Sequence, residues 1–100
     1  MTLTQGDMAV IYLEGDLDMR AEERVVTEIE SVLAGPQRDV MVDLSAVPFL
    51  DSSGIRALLR GREAAQRRGV VLTVRNPRRI VEEVLRMTGV AALFGLSGPR

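Results

Sequence analysis

Three short apolar runs, Met8 to Leu13, Val40 to Leu44 and Val70 to Val74, alternate with two stretches of helical periodicity. That order leaves few folds open. In the first run Ala9, Ile11 and Leu13 fall at alternate positions, the period of a half-buried strand. From about Ala21 to Leu33, the residues Val25, Val26, Ile29, Val32 and Leu33 make one apolar stripe, with Glu22, Glu23, Arg24, Glu28 and Glu30 on the wet side. From about Ser53 to Arg67, Ile55, Leu58, Leu59 and Ala65 are expected inward. Arg56, Arg60, Glu63, Arg67 and Arg68 lie on the opposite side, read as a solvated face. Strand, helix, strand, helix, strand predicts parallel strands joined by right-handed crossovers. The run "VVLTV" at Val70 to Val74 is almost wholly apolar, so it is expected at the centre of the sheet, covered on both faces.

Turn residues punctuate these elements. Thr2 to Gln5, with Gly6-Asp7 as the reversal, predicts an antiparallel strand at the N-terminal edge. Gly35-Pro36 stops the first helix, and Pro48 keeps its own segment out of a central strand. Gly61 in mid-helix costs up to about 1 kcal/mol against Ala, which predicts close packing on the sheet there. Gly69 ends that helix. Asn76-Pro77 reads as an N-cap followed by proline at the first position of a third helix. Val81, Val84, Leu85 and Thr88 give that helix its stripe, Gly89 its left-handed stop, and Val90 to Phe94 a last short helix. Met8, Met41 and Met87 are expected as core filler. The expected fold is α/β: one domain over residues 1–100, a small mixed, mostly parallel β-sheet with about four α-helices.

Composition narrows the function. One hundred residues suit one core, and 46% hydrophobic with 27% charged residues is ordinary for a soluble protein. With no Cys and no His, a thiol nucleophile, the commonest metal ligand and the commonest general base are all absent. No cofactor is expected. A formal net charge of -1 provides no field to draw in nucleic acid, and "RRGVV" and "NPRR" are too short and scattered to do so. All 13 basic residues are Arg, which reads as genome composition. No apolar run approaches the roughly 20 residues of a membrane span, and the N-terminus lacks a signal-peptide layout, so a cytoplasmic protein is expected.

What remains is the joint within "VDLSAVPFLDSSGIRALLRG", residues 42–61. Asp51, Ser52, Ser53 and Gly54 stand between a buried strand and an amphipathic helix. The first turn of a helix has N–H groups without intrahelical partners, and Asp or Ser side chains satisfy them. A cap is therefore one reading. The other is an exposed hydroxyl beside a carboxylate, able to accept a phosphoryl group at a position where an anion is well tolerated. The residues alone leave both open.

Over about Met8 to Phe94 the chain resembles the STAS domain (sulfate transporter and anti-sigma factor antagonist), and within it the free-standing bacterial anti-sigma factor antagonists. The resemblance rests on "LEGDLD" at Leu13 to Asp18, "VDLSAVPFLDSSGIRALL" at Val42 to Leu59, "GVVLTVRNP" at Gly69 to Pro77 and "VLRMTGVAALF" at Val84 to Phe94, in that order. It implies that Ser52 is phosphorylated by a cognate anti-sigma factor that is also an ATP-dependent serine kinase. The unphosphorylated form would bind that kinase and free a sigma factor, and a phosphatase would restore it. Ser53, Gly54, Ile55 and Arg56 map to the contact surface. Asp51 is a cap, an orienting group for Ser52, or a kinase contact. Asp16 and Asp18 read as turn residues, with Asp18 also a contact candidate. Where the family often has Thr or Ser ahead of its first long helix, this chain has "MRAEE" at Met19 to Glu23, which leaves that cap open. The implied protein is not an enzyme, and it is a monomer or weak dimer that touches neither nucleic acid nor membrane. A STAS scaffold or accessory subunit, in a stressosome-like or transporter complex, is the alternative. A small nucleotide-binding or hydrolytic enzyme is a third reading, weakened by the absence of a Gly-rich phosphate loop.

Overall fold

A computed structural model describes residues 1–36 and 38–96; the expected domain of residues 1–100 therefore includes Gln37 and residues 97–100, which lie outside the described residues. Strand β1 (Thr2–Gln5) turns at Gly6, φ 60°, and pairs antiparallel with β2 (Met8–Glu14). β2 runs parallel to β3 (Asp39–Ala46), and β3 parallel to β4 (Leu72–Arg75), giving the sheet order β1-β2-β3-β4. Helices α1 (Glu22–Leu33) and α2 (Ser52–Arg67) make the two crossovers. α3 (Arg79–Met87) and a 3-10 helix (Ala91–Phe94) close the chain, so the described residues hold three α-helices rather than about four.

Cross-strand register explains the core. Ala9 lies opposite Val40 and Val40 opposite Leu72; Ile11 lies opposite Val42 and Val42 opposite Val74. These rows share one face, and Val25, Ile29, Leu58, Ala65, Val81, Leu85 and Phe94 join them in one buried cluster. Fully burying a side chain of this size contributes about 1.5–3 kcal/mol, so the cluster is the main source of stability.

Several expectations change. "VVLTV" is not central: β4 is an edge strand with alternating burial, and Val71 is 59% exposed. The 3-10 helix packs against β4, and a methyl group at Gly95 would meet the Thr73 side chain at 3.1 Å. Gly61 faces a helix and not the sheet, since a methyl group there would meet Ile29 Cδ1 at 2.5 Å. Asn76 does not cap α3; it sits at φ 54° and its side chain turns back to Asp43, while Arg78 takes the cap position without a side-chain bond. Met87 is 85% exposed, and Met8 and Met41 are only half-buried. Thr88 is exposed at the end of α3, its hydroxyl donating to the Val84 carbonyl.

Candidate functional site

The joint is built by two loops that leave the carboxyl ends of β2 and β3, the end at which parallel sheets present their sites. An isolated parallel bridge ties the loops together: the Leu17 N–H donates to the Phe49 carbonyl at 2.9 Å, and the Asp51 N–H to the Leu17 carbonyl at 3.2 Å. Leu17 and Leu50 are both buried, so the bridge is anchored in the core, while Asp16 is exposed and Asp18 and Asp51 are half-buried.

Asp51 is extended at φ -114° and ψ -166°, and its Oδ1 accepts from the backbone N–H of Ser53 at 2.8 Å and of Gly54 at 3.2 Å. That is an N-cap, worth about 1 kcal/mol. Ser52 follows as the first residue of α2 and is exposed. Ser53 is buried, its hydroxyl 3.4 Å from Arg56 Nη2. Gly54 is buried because nothing larger fits: a methyl group would collide with the Leu17 carbonyl and stand 2.8 Å from Leu17 Cβ. Ile55 is buried as well, and Arg56 is exposed. Of the residues assigned to a contact surface, Ser52 and Arg56 are thus presented outward, while Ser53, Gly54 and Ile55 shape the turn beneath them.

Asp18 and Asp51 both flank the bridge, but Asp18 makes a turn of its own. Its Oδ1 accepts the Arg20 N–H at 3.0 Å, its Oδ2 pairs with Arg20 Nη2 at 2.8 Å, and its carbonyl accepts the Ala21 N–H. The Arg20 hydrogen bond lowers the Asp18 pKa. Ala21 holds the cap position of α1 with no side-chain bond, and the Asp18 turn, whose bonds go to Arg20 and Ala21, ends just ahead of the helix. A shallow polar depression of about 390 Å³ lies over the same loop, lined by Glu14, Asp16, Asp18, Arg20 and Arg24.

Periodicity placed Arg56 and Arg60 on a solvated face and Glu22 on another; the fold joins them. Arg56 grips Glu22 with two bonds, Nε to Oε2 at 3.0 Å and Nη2 to Oε1 at 3.1 Å. Arg60 Nη1 bonds Glu22 Oε2 at 3.0 Å and also pairs with Glu23. The Glu22 side chain is only 12% exposed. Its pKa is lowered, chiefly by the Arg56 hydrogen bond and against the opposing effect of burial; the pKa of Arg56 is raised by Glu22 in return, and that of Arg60 by Glu23 first and Glu22 second. No local signal in the sequence links residues 34 or more apart.

A second group also escaped the sequence. Asp43 is 3% exposed in mid-strand, on the face opposite the main core. Its Oδ1 accepts from the Ser45 N–H and hydroxyl, its Oδ2 from Arg75 Nε at 2.9 Å and Asn76 Nδ2 at 3.1 Å. Arg75 Nη2 also donates to the Tyr12 hydroxyl at 2.8 Å. Burial pushes the Asp43 carboxyl up, but these donors outweigh it and hold the pKa at about 2. Tyr12, Asp43 and Arg75 stand in register on three adjacent strands, a row no periodicity announces.

Among the described residues no cluster of acids has a metal-binding arrangement, and no helix is long and apolar enough to cross a membrane. Comparison with known proteins returns a match of the STAS domain model over residues 1–98. The chain is similar to the crystal structure of an anti-sigma factor antagonist from Mycobacterium paratuberculosis, at 25% identity and TM-score 0.77, covering 99% of this chain and 84% of that one. It is also similar to the SulP transporter STAS domain from Vibrio cholerae, at 27% identity and TM-score 0.71, covering 93% and 72%. The unphosphorylated form of the anti-sigma factor antagonist SpoIIAA shares the fold at 21% identity and TM-score 0.66, covering 87% and 81%.

Proposed function

The chain belongs to the STAS domain family, and from that premise we propose that it is an anti-sigma factor antagonist, a non-enzymatic switch toggled at Ser52. Residues 1–100 act as one STAS domain in the cytoplasm, as a monomer or weak dimer, with no cofactor and no direct contact with nucleic acid or membrane. The observation that carries this reading is the exposed Ser52 hydroxyl at the start of α2, between the Asp51 cap and Arg56. The unphosphorylated turn docks on an anti-sigma factor with serine kinase activity, through Ser52, Asp51, Arg56 and the Asp18 loop, and the sigma factor is released. The kinase then moves the γ-phosphoryl group of ATP to Ser52 Oγ; ADP leaves, and the hydroxyl proton passes to a base on the kinase or to solvent. A phosphatase hydrolyses the ester and resets the switch.

Phosphate adds about -1.5 to -2 charges at pH 7, so a surface buried as neutral hydroxyls would have to desolvate an anion. Such burial costs several kcal/mol, and each 1.4 kcal/mol is tenfold in affinity. Ser52→Asp should therefore bind the kinase at least about a hundredfold more weakly than Ser52→Ala. Equal affinities by calorimetry would sink the electrostatic account. Mass spectrometry of the protein from its own host, before and after phosphatase, should find one phosphoryl group on Ser52. The Vibrio cholerae likeness favours a second reading, a STAS accessory subunit of an anion transporter. That reading takes precedence if no phosphate is found and the chain copurifies with a transporter.

A further inference from the structure

We propose that Arg56 is the residue that receives a phosphate on Ser52, exchanging its carboxylate partner Glu22 for the phosphate and so releasing the clasp between α1 and α2. This rests on the reading of Ser52 as the phosphoacceptor.

Ser52 and Arg56 are four residues apart on α2, the spacing at which side chains on one helix face meet. Both are exposed. The guanidinium already leans toward the helix start, with Nη2 3.4 Å from the Ser53 hydroxyl. The charge of Asp51, next to Ser52, also adds to its raised pKa, after the larger contributions from Glu22. A planar guanidinium fork binds phosphate as readily as carboxylate, through two parallel N–H bonds. The phosphate brings up to twice the charge of Glu22.

The exchange leaves no charge stranded. Glu22 is held twice over, by Arg56 and by Arg60 Nη1 at 3.0 Å, so Arg60 keeps it paired when Arg56 turns away. Arg56 is 58% exposed, so its guanidinium can leave Glu22 without repacking the core, whereas Glu22 is nearly enclosed. The charged groups around the turn are Asp51, Arg56 and Arg60 on the α2 side, Glu22 and Glu23 on α1, and the Asp18–Arg20 pair in the intervening loop. Of these cations only Arg56 combines helical spacing with a replaceable bond. Phosphorylation then reshapes the starts of both helices, beyond adding charge.

Phosphoserine installed at position 52 by genetic-code expansion tests this without depending on any kinase. Pairing with Arg56 stabilises the dianion, so the midpoint of the 31P titration should lie about half a pH unit or more below that of Arg56→Gln. Arg56→Lys, which keeps the charge and loses the fork, should fall between them. The Arg56 Nε–H resonance should move between the unphosphorylated and phosphorylated chains and follow the same midpoint. Equal midpoints in wild type and Arg56→Gln overturn the proposal. So does a lowered midpoint with an unmoved Arg56 resonance, which would mark a general field effect. Absence of phosphate on Ser52 in the host would instead overturn the reading beneath it and leave this measurement standing.

Discussion

Two glycines in α2 offer a paired test of how the site is positioned. Alanine at either gains about 1 kcal/mol of helix propensity, so propensity alone predicts that both substitutions stabilise. Their surroundings differ. At Gly54 the new methyl meets backbone, colliding with the Leu17 carbonyl and lying 2.8 Å from Leu17 Cβ. Carbon atoms pack best at about 3.5–4.0 Å, so the two loops must part by roughly 1 Å. Overpacking of this kind costs about 1–3 kcal/mol, and parting the loops also strains the Asp51-to-Leu17 hydrogen bond, worth about 1 kcal/mol. Gly54→Ala should thus destabilise by about 2 kcal/mol after the propensity gain, which in a domain of this size lowers Tm by about 8–16 °C. At Gly61 the methyl meets Ile29 Cδ1 at 2.5 Å, the end of a side chain that can turn. Gly61→Ala should therefore keep Tm within about 5 °C of wild type. Calorimetric melts of the three proteins decide the matter, with hydrogen exchange at the Asp51 amide as a local readout. If Gly54→Ala melts as high as wild type, or below it by no more than Gly61→Ala does, the close approach at Leu17 is not what fixes this turn.

Asp51→Ala should cost about 1 kcal/mol in urea unfolding by removing the cap to Ser53 and Gly54, with a loss under about 0.3 kcal/mol counting against the cap. Asp43 has a pKa depressed to about 2 from 3.8, so it contributes stability fully present above pH 4 and lost as pH falls through 2. That contribution is about 2 kcal/mol, and the acid limb of the stability curve in Asp43→Asn should be flatter than wild type by this amount; parallel limbs would refute it. Asn76→Ala loses the bond to Asp43 and keeps a left-handed backbone that alanine tolerates poorly, so it should destabilise more than Asn76→Gly, as read by thermal melts.

Local chemistry was legible in the sequence and lateral placement was not. The hairpin at Gly6, both crossover helices and the caps and stops at Asp51 and Gly89 follow from periodicity and turn residues that act within a few positions. "VVLTV" misled because an apolar run states that a strand is covered, and not where in the sheet it lies; here the 3-10 helix packs against an edge strand. Asn76 misled because Asn-Pro resembles a cap until Asp43, 33 residues earlier, claims the side chain. Asp51 was legible as a cap because the N–H groups it holds belong to Ser53 and Gly54, two and three residues further on. Glu22 was not, because its partners Arg56 and Arg60 reach it only across two packed helices.

The bridge between Leu17 and Leu50 bears on how the chain acquires its site in time. Apart from the β1–β2 hairpin, the strand pairings join residues about 30 positions apart, and such non-local closures slow folding. The Asp51 amide can reach the Leu17 carbonyl only after β2 and β3 have paired across α1. The turn that holds Ser52 is therefore expected among the later features to form, which late protection of the Asp51 amide in pulsed hydrogen exchange during refolding would show.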